Sequence, residues 1–188
     1  MSGLFLPVRI QLVFVGMVFF FSGYAAAPWI YHKKIKWLLA FPLWIADKLK
    51  TWSEKKINVY GLFFFIFGVN SISLTLDFLS GFILFLPILF ATWTGLNIGV
   101  VTFHSLKGEF YFAALLNPVA LLELPAVFIT FALALGYNMQ LLEWSAEGLF
   151  WKFDTYLHSY LWIVIPLLFI SAVVETALIH WAQKIEEK

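Results

Sequence analysis

The chain has 188 residues, of which 62% are hydrophobic and 12% are charged, and its formal net charge is +1. Soluble proteins carry roughly 45–50% apolar and about 25% charged residues, and a globule of this size still exposes much of its surface. The composition therefore excludes a soluble enzyme and a disordered chain, and the absence of cysteine excludes a disulfide scaffold. A near-neutral chain also lacks the basic surface that nucleic acids require, so the sequence predicts an integral membrane protein whose solvent is the lipid bilayer.

Five apolar runs are long enough to span a bilayer, which takes about 20 residues in a helix. Backbone polar groups cannot stay unpaired in lipid, so each run is predicted to be helical, and none shows the alternation of a membrane β-barrel. The prediction is one all-α polytopic membrane domain over residues 1–188, with spans at residues 10–31, 58–76, 78–104, 110–137 and 156–181. Residues 57–106 can hold either two or three passes, and three passes would invert everything that follows.

Two segments between the spans have the composition of the membrane interface. Lys33–Lys56 carries tryptophans at helical spacing and lysines at both ends, which is typical of an amphipathic helix in the headgroup layer. A short buried hairpin is the alternative, and Pro42 is expected to kink the helix. Tyr137–Asp154 is rich in aromatic and acidic residues and is predicted to be an interface loop with one or two helical turns.

Basic residues predict the orientation of the five spans, because cytoplasmic loops are enriched in lysine and arginine. The side that holds the first loop, the third loop and the C-terminus carries ten basic residues, whereas the other side carries only Arg9 and Lys152. The protein is therefore predicted to lie in the cytoplasmic membrane of the cell, with its N-terminus outside and its C-terminus inside.

Glu123 is a carboxyl group inside the fourth apolar run. A charge at the bilayer centre costs at least ~2.5–3.5 kcal/mol, so this residue must be protonated, paired or turned toward a polar cavity. Prolines flank it, and proline inside a helix removes a backbone hydrogen bond, so the pattern predicts a broken or re-entrant helix around Pro118–Pro125. Freed carbonyls and Asn117 near Glu123 would suit an ion or solute site. Equally, a neutral Glu123 that hydrogen-bonds a freed carbonyl would hold two helices together.

Glu175 is the second carboxyl group within an apolar run, and it follows Pro166 by nine residues. Packing against another helix is the preferred interpretation, since a short side chain has limited reach toward the interface. Sequence spacing does not decide whether Glu123 and Glu175 meet; if they did, their protonation would be coupled. Asn97, in the third run, completes the polar residues predicted to be buried or to contribute to an ion or solute site.

A stripe of small residues marks one face of the third run. Ala91, Gly95 and Gly99 are spaced four residues apart, which allows another helix to approach closely. The stripe is predicted to pack against a helix of the same chain, and a homo-oligomer contact is the alternative. Asn70 and Asp77, near the preceding turn, are expected to be helix-cap or interface residues.

The sequence shows no pattern of a catalytic or cofactor site. It has no glycine-rich phosphate loop, no nucleophile elbow and no zinc-protease motif. No two histidines have the i, i+4 spacing of a helical metal site. They are scattered near predicted span ends, at His32, His104, His158 and His180. The prediction is a protein that is not an enzyme and that binds neither a cofactor nor a metal.

Three motifs resemble the stage II sporulation protein M family. The stretch Pro118–Ala126 reads Pro-Val-Ala-Leu-Leu-Glu-Leu-Pro-Ala, where that family typically has Pro-His-Gly-x-x-Glu-Leu-Pro-Ala. The other two matches are a long apolar hairpin and a glutamate after small residues in the last helix. Their residues are Ile66, Phe67, Asn70, Gly81, Pro87, Gly95, Gly99 and Ser171–Glu175. The resemblance covers roughly residues 60–181.

The resemblance implies a polytopic membrane protein. The namesake of the family holds together a peptidoglycan-degrading complex in spore-forming bacteria and is not itself considered the hydrolase. A shared fold does not carry that function to this chain. The chain also departs from the family pattern, because Val119 and Ala120 replace His-Gly and Thr94 stands where an asparagine often precedes the first glycine.

The leading hypothesis is an all-helical membrane scaffold or assembly subunit with other membrane proteins as partners. In this hypothesis Glu123 is a structural lock at the broken helix. The rival is a small transporter or channel in which Glu123 and Glu175 bind a proton, a cation or a cationic solute. A third hypothesis is an accessory subunit of a larger membrane enzyme complex.

Overall fold

A computed structural model describes residues 8–54, 58–142 and 149–186. These residues form helices and turns, and no strand occurs among them. The helices are α1 (Ile10–Lys33), α2 (Lys36–Glu54), α3 (Val59–Leu79), α4 (Leu86–Ser105), α5 (Ala120–Leu142), α6 (Leu149–Ser159) and α7 (Ile165–Glu186). Short 3-10 turns lie at Ser80–Phe82 and Ala113–Leu116, and a π-helical turn at Tyr160–Val164 joins α6 to α7.

Five helical segments of the described chain are long and apolar enough to cross a membrane. They are Ile10–Lys33, Val59–Phe82, Leu86–Ser105, Ala120–Leu142 and Phe153–Ile185. The predicted all-α membrane fold with five spans is therefore confirmed. The uncertain stretch, residues 57–106, makes two passes, because the chain turns back once between α3 and α4.

The pair formed by α1 and α4 is the most extensive helix contact in the described chain. A Cβ built on Gly95 would lie 1.9 Å from the carbonyl oxygen of Phe20, and one on Gly99 would lie 2.7 Å from the Cβ of Ala27. Real Cβ atoms do not approach so closely, so glycine is required at both positions. The small-residue stripe, which includes the buried Ala91, thus packs against α1 of the same chain. Because α1 covers the stripe, a second copy has no room there.

The spans alternate in direction. Residue numbers rise together along the α1–α4 contact, as shown by Phe20 beside Gly95 and by Tyr31 beside His104, so these two helices are parallel. They end at the same end of the bundle, where α2 begins and where most of the lysines lie. We call this the lysine-rich end.

The chain between α4 and α5 turns back into the bundle. Tyr111 in this segment is buried and stacks on Tyr24 with the ring centroids 4.4 Å apart, and its hydroxyl lies beside Gly99. Gly99 precedes the end of α4 by six residues, which is about 9 Å at 1.5 Å per residue. Two reciprocal bonds fix the position: the Tyr24 hydroxyl donates to the carbonyl of Tyr111 at 2.8 Å, and the Tyr111 hydroxyl donates to the carbonyl of Tyr24. The segment is re-entrant, as predicted.

The position of the helix break differs from the prediction. α5 begins at Ala120 and runs without interruption through Pro125, so the helix break lies at residues 117–119 and the chain is helical from there past Glu123 and Pro125. Asn117 caps the helix, because its Oδ1 accepts from the amide of Ala120 at 2.8 Å and its carbonyl accepts from the amide of Leu121 at 3.0 Å. Proline suits the first helical turn, where its missing N–H would have no partner.

The predicted interfacial helix is present as α2. Trp37, Phe41 and Trp44 are 74%, 52% and 55% exposed, whereas Leu39 and Ala46 are buried. This two-sided helix excludes the alternative of a short buried hairpin. Pro42 is fully buried inside the helix, which continues on both sides of it.

The predicted interface loop at Tyr137–Asp154 is largely helical where the structure describes it. α5 extends to Leu142, and α6 already begins at Leu149. Buried Asn138 fixes the end of α5, since its amide donates to the carbonyls of Gly81 and Ile83 at 3.1 and 2.8 Å. The acidic and aromatic centre of the predicted loop, residues 143–148, lies outside the described residues.

Candidate functional site

Glu123 lies in the first turn of α5, at the depth to which the re-entrant segment descends. The Nδ2 of Asn70 donates a hydrogen bond to the Oε1 of Glu123 at 2.6 Å. Asn70 was expected at a cap or interface, but it lies in the middle of α3. Its side chain therefore connects two spans inside the bundle.

Glu175 and Ser171 approach the same point from α7. Glu175 lies within electrostatic range of Glu123, so the two carboxyl groups that sequence spacing left unrelated are neighbours. The hydroxyl of Ser171 interacts with the Glu123 carboxyl, and this side chain is completely buried. The site is thus the junction of α3, α5 and α7.

A cavity of about 950 Å³ reaches Glu175 from the lysine-rich end. Its walls come from the last turns of α1 and α4, from α2, and from the first half of α3 and the second half of α7. The lining residues are Tyr31, His32, Ala46, Asp47, Lys50, Leu62, Phe65, Ile66, Phe103, His104, Ser105, Lys107, Glu175 and Ile179. Most of the charged side chains are exposed at the mouth, whereas Glu175 is only partly exposed.

An aromatic cluster forms one wall of this cavity. The hydroxyl of Tyr31 and the Nδ1 of His104 are 2.9 Å apart and share a hydrogen bond. The ring of Phe103 lies 5.2 Å from that of Tyr31 and 5.4 Å from that of His32, between centroids. The bond between Tyr31 and His104 occupies one ring nitrogen, so the histidine can offer only its Nε2 to a ligand.

Asp77 is a buried carboxyl group that sequence reasoning placed wrongly. It was expected at a cap or interface, but it is 3% exposed on the inner face of α3. The hydroxyl of Thr94 donates to it at 3.4 Å from both carboxyl oxygens. Two residues before Asp77, the hydroxyl of Thr75 lies 3.0 Å from that of Tyr160, and Tyr160 begins the π-helical turn. The charge of Asp77 was the only sequence signal for this second polar cluster.

The two asparagines predicted beside the glutamates do not join them. Asn117 is exposed and acts as the cap of α5. Asn97 donates to the carbonyl of Trp93 in its own helix at 2.9 Å, and its Oδ1 is buried without a hydrogen-bond partner. The structure therefore assembles Glu123 and Glu175 with Asn70 and Ser171.

Neither a metal nor a nucleophile stands out at this junction. Within the described residues, no three histidine, aspartate or glutamate side chains are grouped so that they could hold a metal ion. What the site offers is two neighbouring carboxyl groups, an amide donor and a hydroxyl, open on one side to the cavity.

Comparison with known proteins gives one match. The family model described as "Stage II sporulation protein M" matches residues 12–178. No curated protein and no solved structure matches the chain. The matched range includes part or all of each of the five spans and the whole of the junction.

Proposed function

We propose that this chain, which belongs to the stage II sporulation protein M family, acts as a membrane scaffold or assembly subunit without catalytic activity of its own. The proposal includes its location in the cytoplasmic membrane, with the N-terminus outside and the C-terminus inside. Its partners would be other membrane proteins.

The observation that carries this proposal is the hydrogen bond from Asn70 to Glu123. It fastens the exposed start of α5 to α3 at the depth where the chain re-enters the bundle. In lipid an unsatisfied polar group is costly, so the bond keeps the broken region in one conformation. A rigid arrangement of spans is what an assembly platform needs.

The test is a pull-down of the tagged protein, read by mass spectrometry. Glu123→Gln keeps an oxygen that accepts from Asn70, so the variant should fold and retain the partners of the wild type. Glu123→Leu removes the acceptor and should lose them. A folded Glu123→Gln variant that keeps its partners but loses flux of an ion or solute would contradict the scaffold function. Recovery of an enzyme as the main partner would favour the accessory-subunit hypothesis.

The cavity favours a second candidate function, a small transporter or channel. It extends from the lysine-rich end to Glu175, which neighbours Glu123. Many transporters build a site in the bilayer at a break in a membrane helix. Glu123 and Glu175 would then bind a proton, a cation or a cationic solute.

Reconstitution into liposomes tests the second candidate. We expect flux driven by a pH gradient in the wild type and its loss in Glu123→Gln. Glu109→Gln is a matched control, because Glu109 is an exposed carboxylate outside the cavity. Absence of flux for protons and for common cations in the wild type would count against transport.

A further inference from the structure

We propose that the cavity binds a small organic cation, with its ammonium group between Glu175 and the aromatic wall. The inference rests on the second candidate function, because it names the chemical class that the site would carry. Three separate features of the cavity support it: the carboxyl groups at its inner end, its aromatic surface and its size.

A carboxyl group lines the inner end of the cavity. Glu175 faces the cavity with Glu123 close behind it. Both lysines that line the cavity are exposed, and they lie at its mouth. Two neighbouring carboxyl groups away from water are each costly when charged, and a cation placed beside Glu175 would offset that cost.

The aromatic wall suits an ammonium group. Tyr31, Phe65 and Phe103 line the cavity, and a cation within about 6 Å of a ring face is attracted by the ring quadrupole. Aromatic side chains next to a carboxylate are a recurring way to recognise alkylated ammonium groups. A phosphate or carboxylate ligand would gain nothing from these rings and would be repelled by Glu175.

The size of the cavity argues for an organic cation over a bare ion. Its volume of about 950 Å³ lies within the range of small-molecule sites, about 300–1,000 Å³. The described residues offer no group of three carboxylate or imidazole ligands around it.

The mouth of the cavity carries both signs of charge, from Asp47, Lys50 and Lys107, and water screens these exposed groups. The mouth therefore does not determine the sign of the charge that the ligand carries.

The first experiment compares two ligands of one shape on the wild-type protein. Choline and its uncharged carbon analogue dimethylbutanol would be titrated against the purified protein in nanodiscs, by calorimetry. We expect saturable binding of choline and at least about tenfold weaker binding of the analogue, equivalent to about 1.4 kcal/mol. Equal binding of the two, or no saturable binding of choline, would overturn the proposal. This comparison needs no variant and so does not depend on the folding of one.

The second experiment locates the ligand. Glu175→Gln should weaken choline binding about tenfold and Phe103→Leu about threefold, because they remove the charge and one ring of the wall. Glu109→Gln should leave binding within about twofold. An equal response of all three variants would place the cation elsewhere and overturn the assignment.

Binding and transport can fail separately. Choline that binds as expected but does not cross the liposome membrane would end the transport function and leave the cation site in place. Flux of protons without binding of choline would support transport and overturn the organic-cation site.

Discussion

The α1–α4 pair and the junction of α3, α5 and α7 are held together by different interactions. In the α1–α4 pair, glycines let the backbones touch, and a hydrogen bond between Tyr31 and His104 joins the two helices at the lysine-rich end. At the junction of α3, α5 and α7, polar side chains meet beside a cavity. Lipid does not drive apolar surfaces together, so membrane helices associate through close packing or through hydrogen bonds. This chain uses close packing between α1 and α4 and side-chain hydrogen bonds at the junction, and the cavity lies between the two regions.

The largest loss of unfolding free energy should come from adding a methyl group at the close contact between α1 and α4. Gly95→Ala places a Cβ against the backbone carbonyl of Phe20, which cannot move away as a side chain can. We expect a loss of about 3 kcal/mol in unfolding free energy, the upper end of overpacking costs. Unfolding in mixed detergent micelles measures it. Gly68→Ala is the control, because a Cβ there meets nothing within 4 Å; equal loss in both variants would refute the close-contact account.

At the junction of α3, α5 and α7 the loss of unfolding free energy should be smaller. It should depend on whether residue 123 can still accept the hydrogen bond from Asn70. Glu123→Leu leaves the Asn70 amide without its partner and should cost about 1–2 kcal/mol of unfolding free energy. Glu123→Gln should stay within about 0.5 kcal/mol of the wild type. The same micelle titration applies, and a double-mutant cycle with Asn70→Leu isolates the pair. Zero coupling between the two positions would show that the bond does not stabilise the junction.

A single asparagine supports the turn between α3 and α4, and its loss should cost about 1 kcal/mol. Asn138→Leu removes the donor to the carbonyls of Gly81 and Ile83, and membrane hydrogen bonds average about 0.6 kcal/mol each. Asn97→Leu is the matched control, since the Asn97 amide bonds only within its own helix. If the control lost as much stability as Asn138→Leu, the turn would not depend on this side chain.

Single cysteine substitutions, which should change stability least, test the orientation of the protein in the membrane. The sequence contains no cysteine, so one introduced thiol is labelled without background. Lys36→Cys and Asp154→Cys replace exposed residues near opposite ends of the bundle and should change stability by less than about 0.5 kcal/mol. In intact cells an impermeant maleimide should label only Asp154→Cys. Labelling of Lys36→Cys alone would invert the proposed orientation.

Much of the fold follows from hydropathy and from prolines. The spans and the amphipathic α2 could be predicted because lipid leaves a chain few ways to satisfy its backbone. The re-entrant segment was predictable from Pro118 and Glu123. The exact break was not, because Asn117 decides it by capping α5, and a cap depends on how the preceding loop is held.

The pairings inside the bundle could not be predicted. Asn70 and Glu123 are 53 residues apart, and their meeting depends on how deeply α5 starts, which sequence spacing does not specify. Asp77 was misplaced because a charged residue near the end of a span usually faces water, whereas this one faces inward from α3. The cavity is the space left between five helices, so no single segment encodes it.

The reciprocal hydrogen bonds between Tyr24 and Tyr111 impose an order on biogenesis. The two residues are 87 positions apart, and a ribosome adding about 5–20 residues per second needs about 4–17 s to cover that distance. During this interval α1 has neither its tyrosine partner nor the glycine face of α4, so its polar hydroxyl and its small-residue surface meet lipid or the insertion machinery. α1 is thus made well before the elements that lock it, and a factor that shelters newly inserted helices would act on α1 in that window.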